Sequence, residues 1–287
     1  MRTLRFIATT VIGWLLLVIM GAALFVWLAT TVERLGQVDS GAAWIGLLQL
    51  PGILVRLLPI CILLGVALAV ARMDFKGERI ALWMLGHGAV RTGAVAGLLG
   101  LLLGLGGLAL QSGPIAQLER QSIAEGGTSA EGWVWAEGRA LRAQDGRVVE
   151  PRGSSARIGS LTRTERGVLP HAWVSLHPSS SSNAELIASS NRPQRLELHA
   201  RLSRVLACGL LAFWAWTPLR GGRRRGGGTV VALGLGWSLS ELIAQGLVLS
   251  GSLPVVLGAW TPSAALAVIC TLRVLRTQGG TQSRSQT

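Results

Sequence analysis

Six apolar runs, most of them close to 20 residues long, constrain this chain more than any other feature: Phe6 to Ala29, Trp44 to Val70, Val90 to Leu110, Val205 to Leu219, Thr229 to Leu249 and Leu253 to Leu272. A helix needs about 20 apolar residues to cross roughly 30 Å of hydrocarbon. Half of the chain is apolar and only 14% is charged, which excludes a disordered chain and an ordinary soluble globule. The first run is longer than the apolar core of a secretory signal and lacks a small-x-small cleavage site, so it reads as a retained span. The fourth, Val205 to Leu219, is the shortest, and Leu196, Leu198 and Leu202 before it extend it as an amphipathic helix.

The formal charge of +13 would point to nucleic acid if it lay on one soluble face, but its distribution points to topology. With six spans both termini share a side. That side carries Arg2, Arg5, Arg72, Lys76, Arg79, Arg91, Arg220, Arg223, Arg224, Arg225, Arg273, Arg276 and Arg284, with Asp74 and Glu78 as its only carboxylates. The opposite short loops carry no basic excess, and the long segment after the third run is nearly balanced. By the positive-inside rule the basic side is cytoplasmic. A nucleic-acid partner is therefore excluded. Trp27, Trp44, Trp83, Trp214, Trp216 and Trp260 fall near span ends, as expected of a headgroup belt. In the third run Gly93, Gly97, Gly100 and Gly104 form a stripe at helical spacing, which predicts close approach of another helix.

Residues 113–198 show no long helical period. Short runs at 132–135, 140–143, 147–149, 168–176 and 185–188, with Asp145-Gly146 as a hairpin turn, predict a small antiparallel β domain with Ser179 to Asn183 as a flexible tip. The resulting fold class is an α-helical membrane protein with six transmembrane helices and a small antiparallel β domain inserted between helices 3 and 4. Residues 1–112 hold the first three helices, with a cytoplasmic segment at 72–91; residues 199–276 hold the last three, and 277–287 form a cytoplasmic tail.

No catalytic or metal-binding pattern survives inspection. His171 and His177 lie near a Ser run without a nucleophile turn, and Cys61, Cys208 and Cys270 sit singly in apolar runs. The Gly221 to Gly228 stretch lacks the Lys-Ser/Thr ending of a phosphate loop, so neither cofactor nor ATP binding is expected in this chain. Two ionisable residues fall inside apolar runs, Arg56 and Glu241, and such groups face a partner, a cavity or the interface. Glu241 requires a buried partner that the sequence leaves unnamed.

Local motifs then resemble one family in order along the chain. Arg5-Phe6-Ile7 opens the first span and Val32-Glu33-Arg34-Leu35 closes it. Leu50-Pro51, Leu57-Leu58-Pro59 and Leu63-Leu64-Gly65 follow in the second. Gly77-Glu78-Arg79-Ile80-Ala81-Leu82 with Gly86 comes next, and Pro218-Leu219-Arg220, Gly251-Ser252-Leu253-Pro254 and Gly258-Ala259-Trp260-Thr261-Pro262-Ser263-Ala264 lie near the end. These resemble the LptF/LptG permeases of lipopolysaccharide export, closer to the LptG side.

The resemblance implies a jellyroll-like periplasmic domain, here shorter than the family's, at residues 113–198 of a multi-pass bacterial inner-membrane protein. It implies a permease subunit, not an enzyme, with ATP and Mg used by a separate LptB-like ABC ATPase dimer. The implied partners are a second LptF/LptG-like subunit, an LptC/LptA-like bridge, and lipopolysaccharide itself. Glu78, Arg79, Ala81, Leu82, Leu85 and Gly86 correspond to the family's ATPase-coupling helix. Lipid contacts are expected at Thr30, Glu33, Arg34 and Arg56: Thr30 stands where many relatives carry a Lys, and Arg34, one turn on, is placed to substitute for it. The alternatives are a permease for another envelope lipid or lipoprotein, and a membrane scaffold or sensor with an outer β domain.

Overall fold

The computed structural model describes residues 2–35, 42–125, 133–136, 139–142, 147–152, 155–160, 181–189, 192–217 and 223–282. In chain order these form α1 (Arg2–Leu35), α2 (Ala42–Lys76), α3 (Glu78–Met84), α4 (Ala89–Gln111), α5 (Pro114–Glu125), strands β1 (Trp133–Ala136), β2 (Arg139–Arg142), β3 (Arg147–Arg152) and β4 (Ser155–Ser160), then α6 (Asn183–Ala188), α7 (Arg192–Trp216), α8 (Arg223–Leu249) and α9 (Val255–Gln282). Chain contacts divide them into two units, one of residues 1–22, 55–109 and 191–287, the other of residues 23–54 and 110–190.

Among the described residues five stretches are long and apolar enough to cross a membrane: Arg5–Val32, Gly46–Lys76, Ala89–Gln111, Gly228–Leu249 and Val255–Leu275. The expected fourth span is absent from this set. Its helix, α7, has 25 residues and so reaches about 37 Å at 1.5 Å per residue, long enough to span, but it begins at Arg192 and carries Arg195, Glu197, Arg201 and Arg204. Arg201 and Arg204 are tolerated because both lie on its protein-facing side. Ala200, Arg201, Ala207, Cys208, Leu211, Ala212 and Trp216 are all buried along one broad face, while Leu202 and Leu206 on the other side are exposed.

The core of the first unit is built on helical stripes. Ile7, Val11 and Leu15 recur every fourth residue on α1 and meet Ile62, Val66, Ala69 and Met73 of α2, with Leu211 of α7, Trp237 of α8 and Leu266 of α9 in the same cluster. Outward faces are apolar as well: Leu16, Met20 and Phe25 on α1 and Leu235, Leu239 and Leu242 on α8 are exposed. Such continuous apolar surface suits hydrocarbon rather than water. Pro51 and Pro59 do not break α2, which runs unbroken for 35 residues. Pro59 is fully buried among neighbouring helices, the setting in which a membrane helix accommodates proline.

The glycine stripe of α4 is a helix interface, as its spacing predicts. A Cβ at Gly97 would lie 3.2 Å from the Gly209 carbonyl oxygen, at Gly100 2.5 Å from that of Cys208, and at Gly104 3.0 Å from the Val205 Cα. Backbone thus meets backbone between α4 and α7.

In the second unit the outer half of α1 packs on the start of α2: Trp27 Nε1 donates to the Ala43 carbonyl at 3.2 Å, and Gly46 sits against Thr30. The segment expected to be wholly β is not. Residues 114–125 are helical, with Pro114 at the first helical position, where its missing N–H costs nothing, and with Ile115 and Ala116 buried. The 185–188 run, expected as a strand, lies in α6. There Ser182 caps the helix: its Oγ accepts from Glu185 N at 3.3 Å, and Glu185 Oε2 accepts from Ser182 N at 2.7 Å. This reciprocal pair replaces part of the expected flexible tip. Strands β1 to β4 form one antiparallel sheet in chain order, with Ala140 opposite Val149 and Val149 opposite Ile158. The expected strand at 168–176 and the Asp145-Gly146 turn lie outside the described residues.

Two tryptophans depart from the headgroup belt. Trp216 is 1% exposed, and Trp214 is buried with the Arg273 guanidinium 4.4 Å from its ring centre. Both serve packing within the first unit, on the buried side of α7. The expected cytoplasmic segment 72–91 is shared among three helices, since α2 continues to Lys76 and α4 begins at Ala89. The expected tail is helical through Gln282.

Candidate functional site

Gly77 ends α2 with φ at +73°, and Gly86 closes α3 with φ at +79°. Both lie in the left-handed region, where glycine has no Cβ to clash, so the short helix α3 is set off by a sharp turn at each end. One face of α3 fastens it to the bundle. Arg79 is 5% exposed, its Nη1 donates to Asp74 Oδ2 at 3.2 Å, and its guanidinium lies 5.0 Å from the centre of the Trp83 ring. Burial pulls the Arg79 pKa below its ordinary value, and the Asp74 carboxylate opposes that shift. Leu82, three residues on, is buried too.

The other face is bare and apolar. Met84 is 84% exposed and Phe75, at the end of α2, 78%, with Ile80 and Leu85 exposed beside them in sequence. The six expected coupling residues therefore divide. Arg79 and Leu82 hold α3 in place, while Ala81, Leu85 and Gly86 are exposed and Glu78 is half-buried. Phe75, Ile80 and Met84 were missed. The signal available was the i, i+4 spacing of Ile80 and Met84, complementary to the buried pair Arg79 and Leu82.

A second polar constellation lies between α7, α8 and α9. Glu241 on α8 has the partner its position demands: Arg204 Nε donates to Glu241 Oε1 at 2.8 Å, and Gln245 Nε2 donates to the same oxygen at 3.1 Å. Arg204 Nη1 approaches Glu197 Oε1 at 3.8 Å, and Arg201 Nε donates to that oxygen at 3.0 Å. Two arginines and two glutamates thus offset one another where isolated charge would be costly. Towards α9, Ser263 Oγ donates to the Ser203 carbonyl at 3.0 Å and lies 2.7 Å from Ser203 Oγ, while Trp260 Nε1 donates to His199 Nδ1 at 3.4 Å. Polar contacts therefore tie α7 to both neighbours.

Of the expected lipid-contact residues, the side chains of Thr30 and Arg56 are described. The Thr30 hydroxyl donates to the Val26 and Trp27 carbonyls at 2.9 and 3.1 Å, so it is engaged within its own helix. Arg56 is exposed on α2. The side chains of Glu33 and Arg34 lie outside the described residues. All three cysteines are free and buried, and no metal-binding cluster occurs among the described residues.

Five long apolar helices among the described residues, with a charge pair between Arg204 and Glu241, fit a multi-pass helical membrane protein. Residues 174–276, the stretch that contains α6, α7 and most of α8 and α9, match the family model described as Lipopolysaccharide export system permease LptF/LptG. The match covers the motifs at 218–220, 251–254 and 258–264, so this stretch is similar to that family, and it does not separate LptF from LptG. No curated protein matches this chain.

Proposed function

We propose that this chain is a transmembrane permease subunit of an ABC transporter that extracts lipopolysaccharide from the inner membrane. The observation that carries the reading is the family match across α7, α8 and α9. The energetic problem fits such a machine. Exposing an acyl chain to water costs about 0.8 kcal/mol per CH₂, so moving a multiply acylated lipid requires both an energy source and a sheltered apolar path.

The energy comes from a separate LptB-like ATPase dimer that hydrolyses MgATP. It docks on the exposed apolar side of α3, at Phe75, Ile80, Met84 and Leu85. Arg79 and Leu82 then transmit its movement into the bundle, because both are packed against it. A second LptF/LptG-like subunit completes the cavity, and lipid leaves through the periplasmic segment at residues 113–198 to an LptC/LptA-like bridge. In this arrangement α7 is the fourth of six spans, carried through the membrane by its pairing with Glu241, and both termini are cytoplasmic. ATP binding shifts the pair of permeases between open and collapsed states only by its different affinity for the two.

Gentle detergent extraction of the tagged chain tests the reading. Recovery of an ABC ATPase in stoichiometric amount with bound lipopolysaccharide is expected. An ATPase with a different lipid or a lipoprotein would transfer the reading to another cargo, and a signalling or envelope enzyme in place of the ATPase would favour a scaffold or sensor.

A further inference from the structure

A cleft of about 450 Å³ opens on the first unit between α1 and the α2–α3 turn, lined by Thr9, Thr10, Gly13, Trp14, Arg72 and Glu78. Its volume falls within the range of small-molecule pockets, about 300–1,000 Å³. Phe6 and Leu17 complete its walls, and at 41% and 60% exposed they leave it open along the side. From Phe6 to Leu17 the helix rises about 16 Å at 1.5 Å per residue, close to half of the roughly 30 Å hydrocarbon thickness. The cleft is therefore about one leaflet deep.

Its chemistry is graded. Trp14, Leu17 and Gly13 make one part apolar; a Cβ added at Gly13 would meet nothing within 4 Å, so the groove floor there is open space. Arg72 and Glu78 bring one positive and one negative charge to the same opening, and neither forms an ion pair among the described residues. Thr9 and Thr10 add hydroxyls between the charged and apolar parts.

We propose that this cleft binds a zwitterionic aminophospholipid, with the lipid phosphate on Arg72, the ammonium group on Glu78 and an acyl chain along Gly13, Trp14 and Leu17. A guanidinium fits a phosphate through paired N–H donors, and a carboxylate accepts from an ammonium N–H. An anionic lipid without the amine leaves Glu78 facing like charge. A choline lipid carries positive charge but no N–H to donate. The inference does not depend on the cargo or on the ATPase; it requires only that these helix ends lie at a membrane surface.

The test is lipid titration of the purified full chain in detergent, read by native mass spectrometry. The probes are phosphatidylethanolamine, phosphatidylcholine, phosphatidylglycerol and soluble glycerophosphoethanolamine. The ethanolamine lipid is expected to bind about tenfold more tightly than the choline or glycerol lipid, the scale of one charge-assisted hydrogen bond. Glu78→Gln should erase the preference for ethanolamine over choline while leaving choline-lipid binding intact. Arg72→Gln should weaken both, and Gly13→Leu should weaken every lipid by filling the floor. Equal binding of all three lipids, undiminished binding by Gly13→Leu, or equal affinity for the soluble headgroup would each overturn the proposal. Retained choline-lipid binding by Glu78→Gln also shows that this variant is folded.

Discussion

The α4–α7 contact allows a prediction in which one substitution made twice on one helix has opposite effects. Gly100 and Gly106 both lie in α4, six residues apart. A Cβ at Gly100 would come within 2.5 Å of the Cys208 carbonyl oxygen and 2.8 Å of the Ala212 Cβ, whereas at Gly106 it would meet nothing within 4 Å. Carbon atoms in contact prefer about 3.5–4.0 Å, so Gly100→Ala must force the helices apart by roughly 1 Å, which forfeits a quarter to a half of each attractive contact nearby. Overpacking of this kind costs about 1–3 kcal/mol. Both substitutions gain about 0.5–1 kcal/mol of helix propensity. Gly106→Ala should therefore stabilise slightly, and Gly100→Ala should be less stable than Gly106→Ala by about 1–3 kcal/mol. At about 2–4 °C per kcal/mol for a chain of this general size, the two melting temperatures should differ by roughly 2–12 °C. Tryptophan fluorescence during thermal unfolding in detergent provides the reading. Equal melting temperatures, or Gly106→Ala the less stable, would refute the close packing of α4 on α7.

Other perturbations have separate readouts. Arg204→Ala should lower thermal stability by about 3–5 kcal/mol by leaving Glu241 unpaired, and the Arg204→Met, Glu241→Met double variant should recover most of the loss, as a double-mutant cycle in detergent would show. Met84→Asp should abolish recovery of the ATPase without lowering the melting temperature, whereas Arg79→Ala should lower the melting temperature through loss of the Asp74 pair and the Trp83 contact; pull-down and thermal unfolding separate the two. Ser182→Ala should reduce local stability around α6 by about 1 kcal/mol, seen as faster amide exchange at Glu185 and Leu186. Arg34→Ala should reduce lipid-stimulated ATPase activity of the assembled transporter, and unchanged stimulation would remove Arg34 from the lipid path.

What could be read from residues alone follows from how strict each physical rule is. Hydrocarbon thickness sets a hard length for apolar runs, so the five long ones were legible, and so was the α4 stripe, because small residues at helical spacing have few other uses in lipid. α7 was legible only in its apolar half. Its run was counted from Val205, which placed Arg204 just outside it and left Glu241 without a partner, although the two charges meet at 2.8 Å. Arg201 and Arg204 lie on the side of the helix that packs against protein, a fact no local window contains. Trp214 and Trp216 misled for the same reason. By contrast, Ser182 and Glu185 had the spacing of a capping box in plain sight, hidden by the Ser-rich composition around them. The lipid-contact expectation at Thr30 came from the family's pattern, and its hydroxyl proves to be engaged with its own backbone.

Reconstitution most directly tests whether this chain moves lipopolysaccharide. The chain, with the ATPase and second permease that copurify with it, is placed in vesicles loaded with labelled lipopolysaccharide, and release to a soluble acceptor is followed with and without ATP. The account predicts release that requires MgATP and disappears with Met84→Asp. Release independent of ATP, or none from vesicles in which the assembled complex hydrolyses ATP, would contradict it.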